Sequence, residues 1–571
     1  MWLGLVALLL VAGGLAAWKL WPQPAPFANI GLHQMTDSGN IEALAMSPDG
    51  RYLAEIKNDK GQRTLWVRNI PTNTDAQILP VFTNPYVGLA FSPDGNNLYF
   101  VRATEKNLYI RDLYQISVLG GTPRELVHNI DSAPSFSPDG SRMVFLRQTP
   151  DLKDHFTELH IADRDGGNDQ LIYTDSYNPG YPVWSPDGKT IALPVFIRPG
   201  SAMVLIDVAT KKTTLLAAPK GIFYGIDATW MPDSRHMLVI YGRDNSDRGQ
   251  VGSVSIPGNE FKPVTNDLNS YQNLAMSADG RTLATILTNR DTNVSLYKGT
   301  GGPLVSSTAL RIAPTRLAWL DEKRMVVLTP RVALNTLDPA TGATERIDVG
   351  EPALAGSFSV CTDGHIVLPL IPKGLDHTRL YRMNLDGSGQ SALTMDGVVR
   401  EPICLADGKQ VNYVGLANNS GSGWTVPLAG GTPKKLFDAE GSVGIRFSRD
   451  GHYATYQKTS ATSENETFMA NLRDLTTGTV RTITPDVRFT LTAIYFAPDS
   501  KELTYSVQQG GGEAILAQPL DGSPSHMLTD FVPSQLLDFA WSPSGDQLAV
   551  LRQHSTSDIV LITDQGSKAS H

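Results

Sequence analysis

Four tyrosines, Tyr86, Tyr181, Tyr224 and Tyr271, stand at similar distances ahead of four tight-turn sequences in the first half of the chain. A tyrosine combines apolar area with a polar tip, a pairing that suits recognition of peptides or glycans. The same side chains would equally serve to pack one structural module on the next. Residues for covalent or metal chemistry do not assemble. The chain has no Gly-x-Ser-x-Gly elbow, no His-Glu-x-x-His, and none of the glycine-rich, His-Arg-Asp or Asp-Phe-Gly signatures of a kinase. Its eleven histidines are scattered. His155 and His160 form the nearest pair, and an odd spacing puts them on opposite faces of a strand. His236, His365 and His452 follow turns and are expected in solvent. The two cysteines, Cys361 and Cys404, fall one position apart in phase in successive repeats, so ordinary strand positions are expected, with a disulfide as the alternative. No catalytic residue, metal or cofactor is expected.

What positions these residues is a repeat. Ser-Pro-Asp-Gly stands at Ser47–Gly50, Ser92–Gly95, Ser137–Gly140 and Ser185–Gly188, a period of about 45 residues. Worn copies follow at Met231–Ser234, Ser277–Gly280, Cys361–Gly364, Leu405–Gly408, Ser448–Gly451, Ala497–Ser500 and Ser542–Gly545, and a poor one at Leu320–Lys323. Proline presets φ, aspartate bonds its own backbone and glycine accepts φ > 0, which is hairpin chemistry. A large or apolar residue precedes each turn, among them Phe91, Trp184, Trp230, Trp319 and Trp541, and is expected between modules. An alternating strand such as Ser141–Leu146 follows each turn. The turn aspartates lack the dense acidic spacing of a calcium loop.

Four short strands per repeat predict an all-β protein of four-stranded propeller blades. Twelve units exceed one ring, so two tandem six-bladed β-propellers are expected, over 29–300 and 301–571, with a seven-plus-five split as the rival. The orphan strands Asn29–Met35 and Leu304–Ile312 would supply each ring's missing outer strand and leave no long open edge. The first-ring loops carry the four tyrosines; those of the second offer Arg400, Glu401, Phe489 and Gln535, too mixed to name a ligand.

A formal charge of −9 without a basic run disfavours nucleic acid. Trp2–Trp18 is apolar throughout and is followed by Lys19, Trp21 and a proline-rich linker over 22–28. Residues 1–21 are therefore expected to form a hydrophobic transmembrane helix, with a cleaved signal as the rival. The expected address is the inner membrane, single-pass, with the propellers in the periplasm or outside the cell.

The repeats resemble the TolB-like (WD40-like, PD40) family of bacterial propellers, most clearly over Ala45–Ala54, Ala90–Val101, Ser135–Phe145 and Val183–Ala192. The resemblance covers nearly all of residues 29–563 and implies a non-catalytic binding or scaffold module, often periplasmic. Similar arrays accompany prolyl-oligopeptidase-type peptidases and form the outer part of receptor-type Ser/Thr kinases and winged-helix regulators. The expected function is a membrane-anchored, extracytoplasmic propeller that binds a protein, peptide or envelope component. The alternative is the sensor half of a receptor whose cytoplasmic domain is absent from this chain.

Overall fold

Every intact Ser-Pro-Asp-Gly closes its hairpin in one way. At Ser137 the hydroxyl donates to Asp139 Oδ1 (2.6 Å) and accepts from Arg142 N–H (3.0 Å), while Gly140 N–H donates to the Ser137 carbonyl (2.8 Å). The same bonds recur at Ser47, Ser92, Ser185 and Ser277. The Ser137 hydroxyl, with help from Ser141, holds the exposed Asp139 carboxyl down at about 2. These aspartates are thus engaged in turns. Gly140 has φ 69°, and a Cβ there would sit 3.3 Å from Pro93 Cγ of the preceding turn. Successive turns therefore stack, proline against glycine.

The structure, a computed structural model, describes residues 26–566 except 105–109, 149–156, 176–178, 198–199, 244–247, 300, 330–332, 351–352, 355, 373–374, 376, 396, 418–419, 440–441, 459–469, 484–488 and 510. Eleven antiparallel sheets form among them: nine of four strands, one of five and one of six. In the first, Ile41–Met46, Tyr52–Asp59, Gln62–Asn69 and Thr74–Phe82 pair in sequence order. The leading strands of the sheets meet one another. Ile41–Met46 touches both Tyr86–Phe91 and Ser270–Met276, closing one circuit of sheets. Arg316–Trp319 touches both Ser359–Val360 and Gln535–Trp541, closing a second. Apolar clusters fill the gaps: Trp184 packs on Val144, Leu146 and Ile161 of the preceding sheet, and Trp230 on Ala192 and Met203. The indoles also bond across, Trp230 Nε1 to the Val183 carbonyl and Trp319 Nε1 to that of Ala540.

The six-stranded sheet joins the two circuits. Thr282–Lys298 and Gln547–Asp564 pair without interruption, from Thr282 opposite Thr563 to Lys298 opposite Gln547. At one end this ladder is flanked on its two edges by Ser270–Met276 and Ile30–Gln34, at the other end by Leu304–Leu310 and Gln535–Trp541. Each circuit's last blade therefore borrows its third strand from the other half of the chain. Residues 547–552 and 558–562 are the two apolar stretches of a single strand, Gln547–Asp564. Between them lies Gln553–Ser557, polar and free of glycine or proline, so nothing forces a turn.

Two expectations are corrected. No helix of any kind occurs among the described residues, and none there is long and apolar enough to cross a membrane, so the expected N-terminal hydrophobic helix and membrane anchor find no support in the structure. Residues 1–21 themselves lie outside the described residues. The cysteines do meet: Cys361 and Cys404 form a disulfide with Cα atoms 5.1 Å apart. Cys361 opens a turn, its N–H donating to the His365 carbonyl, while Cys404 ends a strand. Strand alternation does not extend through a turn residue, which is why phase misled.

Candidate functional site

The leading strands of the first circuit surround a cavity of about 840 Å³. Its wall includes segments of all six, from Glu42–Met46 round to Ser270–Met276. Three of the four singled-out tyrosines line it, and Tyr86 does not. Tyr181 is half-buried. Its hydroxyl donates to the Val87 carbonyl two repeats away (3.3 Å), and its N–H to the Ile226 carbonyl of the next sheet (2.9 Å). Tyr224 and Tyr271 are each 1% exposed, and burial pushes both phenols up to about 12. Tyr271 donates to Asp267 Oδ2 (2.8 Å). Tyr86 is core, edge-on to Phe82 with ring centroids 6.1 Å apart.

The sequence reading passed over the most distinctive group of this cavity, Asp227. It lies inside Ile222–Trp230, where the pairing register shifts between Tyr224 and Ala228 and turns the strand's polar residue inward. Asp227 Oδ2 accepts the Asn273 N–H (3.1 Å), and Asn273 Oδ1 accepts that of Leu44 (2.8 Å), linking three successive blades. Asn273 is left-handed, with φ 59°. The available signal was an aspartate within an otherwise apolar leading strand. The second acid of the wall, Glu42, is occupied by Arg63 Nε at 2.6 Å.

The Asp227 carboxyl is half-buried in the cavity wall, and this burial pushes it up to about 6, opposed by the Asn273 bond. Its unfolded value is about 4. The folded chain thus holds a proton the unfolded chain releases, and stability falls as pH rises through about 4 to 6. Asp227→Asn is expected to raise stability above pH 6 by about 1–3 kcal/mol and to change it little at pH 4. Urea unfolding at pH 4.5 and 7.5 measures this; an equal effect at both would show that the carboxyl is not raised.

The second circuit surrounds a smaller cavity of about 170 Å³. There the Tyr495 hydroxyl donates to Asp538 Oδ1 (2.6 Å), Leu317 N–H donates to Asp538 Oδ2 (2.9 Å), and Arg316 Nη1 lies 3.0 Å from the Tyr495 oxygen. Glu401, noted in the sequence, faces Arg446 at 3.5 Å.

Elsewhere, His160 stacks on Phe145 and bridges Asp169 and Glu158, while His155 lies outside the described residues. His236, His365 and His452 sit beside turn aspartates. Asp112, Glu125 and His128 bring three potential metal ligands within 4.8 Å. His128 Nδ1 and the Asn129 N–H both address Asp112 Oδ1, so that oxygen is satisfied from within.

Blades of antiparallel strands, closed in circuits around a central cavity, define a β-propeller protein. No protein-family model matches the chain. Among curated proteins it is 22% identical over 222 residues to the uncharacterized peptidase YuxL of Bacillus subtilis, covering 38% of this chain and 31% of that one. It is 23% identical over 201 residues to the Tol-Pal system protein TolB of Acinetobacter baylyi, covering 32% and 47%. To TolB of Xanthomonas oryzae it is 41% identical over 64 residues, 11% and 15%. The chain thus spans less than half the length of these relatives. Among solved structures, a putative TolB from Agrobacterium tumefaciens shares 17% identity at a TM-score of 0.38, covering 47% of this chain and 99% of that one. The tricorn protease shares 13% at 0.33, covering 90% and 46%. Stretches covering 11–32% of the chain are thus similar in sequence to TolB proteins.

Proposed function

We propose that the chain is an extracytoplasmic, TolB-like binding module that receives a protein or peptide segment in the cavity of its first circuit. Membrane attachment through an N-terminal helix forms no part of this reading. The observation that carries it is the cavity itself. About 840 Å³ lies within the range of roughly 300–1,000 Å³ that accommodates a ligand, and its wall is mostly apolar with few polar groups. Tyr181 supplies aromatic surface, with Tyr224 and Tyr271 buried in the wall behind it, and Asp227 offers a carboxyl that favours a cationic or hydrogen-bond-donating ligand group. The Cys361–Cys404 disulfide supports the address, since such bonds persist in oxidising compartments such as the periplasm. The TolB relatives point the same way.

Site-specific photo-crosslinking tests the reading. Ile226 lines the cavity at 43% exposure, whereas Leu119 is 92% exposed and lies outside the cavity wall. A photoreactive residue at 226 is expected to give one discrete adduct with an envelope extract of the source cells, and one at 119 to give none. No adduct from 226, or the same adduct from both positions, would overturn the proposal.

A further inference from the structure

The small cavity of the second circuit holds three guanidiniums and two carboxylates: Arg316, Arg446 and Arg449 against Glu401 and Asp538. Asp538 answers Arg316 at 3.6 Å, and Glu401 answers Arg446 at 3.5 Å. Arg449 is the surplus. It is half-buried and makes no side-chain hydrogen bond or ion pair among the described residues. Burial with no facing carboxylate pushes its pKa down. The neighbouring Arg446 Nε is also buried without a partner.

Local structure does not account for this arginine. It occupies the second position of the turn Ser448–Gly451, where Pro48, Pro93, Pro138, Pro186, Pro232, Pro498 and Pro543 stand in other repeats. The turn's own bonds bypass it, since the Ser448 hydroxyl donates to Asp450 Oδ1 (2.6 Å) and accepts from Tyr453 N–H (2.8 Å). A half-buried charge without a counter-charge is costly and is ordinarily paired.

We infer that the second cavity is an oxyanion site in which Arg449, assisted by Arg446, takes a carboxylate or phosphate group. The planar fork of a guanidinium matches either group with two parallel hydrogen bonds. About 170 Å³ is below the size of a typical ligand pocket, so the cavity receives a charged group rather than a whole molecule. This inference concerns a separate cavity and does not depend on the function proposed for the first.

Calorimetric titration of the full chain with succinate and, separately, with inorganic phosphate tests it. Saturable binding of at least one anion is expected, and the tighter of the two identifies the ligand as a carboxylate or a phosphate. Arg449→Pro restores the repeat's own turn residue, so it is expected to keep the wild-type Tm while weakening binding at least tenfold. Arg449→Gln, which keeps the side chain's length without its charge, is expected to weaken binding similarly should the proline variant fold poorly. No saturable binding of either anion, or wild-type affinity in a folded charge-free variant, would overturn the site. Crosslinking from position 226 should be unchanged in both variants, which separates failure here from failure of the first-cavity reading.

Discussion

A chain ending at His554 is expected to lose the first circuit of blades although the deletion removes only the far terminus. The removed segment carries Ile559, Val560, Leu561 and Ile562, all 0–5% exposed, which pair with Leu283–Ile286, and its other edge carries Ile30–Gln34. It also carries the Asp558 carboxylate that accepts from the Thr36 hydroxyl and Gly39 N–H. Four buried aliphatic side chains at about 1.5–3 kcal/mol each amount to about 6–12 kcal/mol, comparable with the whole stability of a typical domain. The second circuit keeps its own strands, because Gln547–Gln553 still pairs with Gln535–Trp541 and with Thr292–Lys298. Hydrogen exchange is the measurement: amides over 41–263 should lose protection while those over 316–527 keep it. Retained protection over 41–263 would mean that this strand does not close the circuit. For the same reason, 26–300 expressed alone should not fold, and co-expression with 301–571 should restore it.

Asp538→Ala is expected to cost about 2–4 kcal/mol, because it removes a buried carboxylate that accepts two hydrogen bonds and faces a half-buried guanidinium. Asp538 is 2% exposed and ties three leading strands together, through Leu317 N–H, the Tyr495 hydroxyl and Arg316. These strands belong to the blades that meet where the second circuit closes. Removing the carboxylate takes one counter-charge from the half-buried Arg316 guanidinium and leaves an unanswered backbone N–H. Asp538→Asn keeps an acceptor for Leu317 and should cost less. Adding Arg316→Met to Asp538→Ala should recover part of the loss, since the stranded cation goes too. Urea unfolding decides this, and a loss below about 1 kcal/mol for Asp538→Ala would show that the cluster does not hold the closure.

The candidate sites were legible only in part, for reasons visible at single residues. Tyr181, just ahead of the leading strand Val183–Trp184, reaches the cavity half-buried, while Tyr224 and Tyr271, on leading strands, lie buried in its wall. Tyr86, at the same spacing, turns into the core against Phe82. Spacing places a Cα on an element; the rotation of the side chain depends on neighbours from other repeats. Asp227 escaped notice because a register shift, which no local pattern announces, points it inward. Arg449 was visible as a departure from proline in the turn. Its lack of a partner appears only once Glu401 and Asp538 are seen committed to other arginines.

From sequence alone came everything governed by contacts a few residues apart: the hairpin turns, the alternation of the strands, the period of about 45 residues and hence the propeller blade. Only the tertiary structure decided what depends on residues hundreds of positions apart. It ran two half-strands together into Gln547–Asp564, laid them beside Thr282–Lys298 and exchanged third strands between the circuits. It also brought Cys361 to Cys404. A strand's hydrogen-bonding edge specifies that it needs a partner but not which one, and that choice is made by the closure of the whole ring.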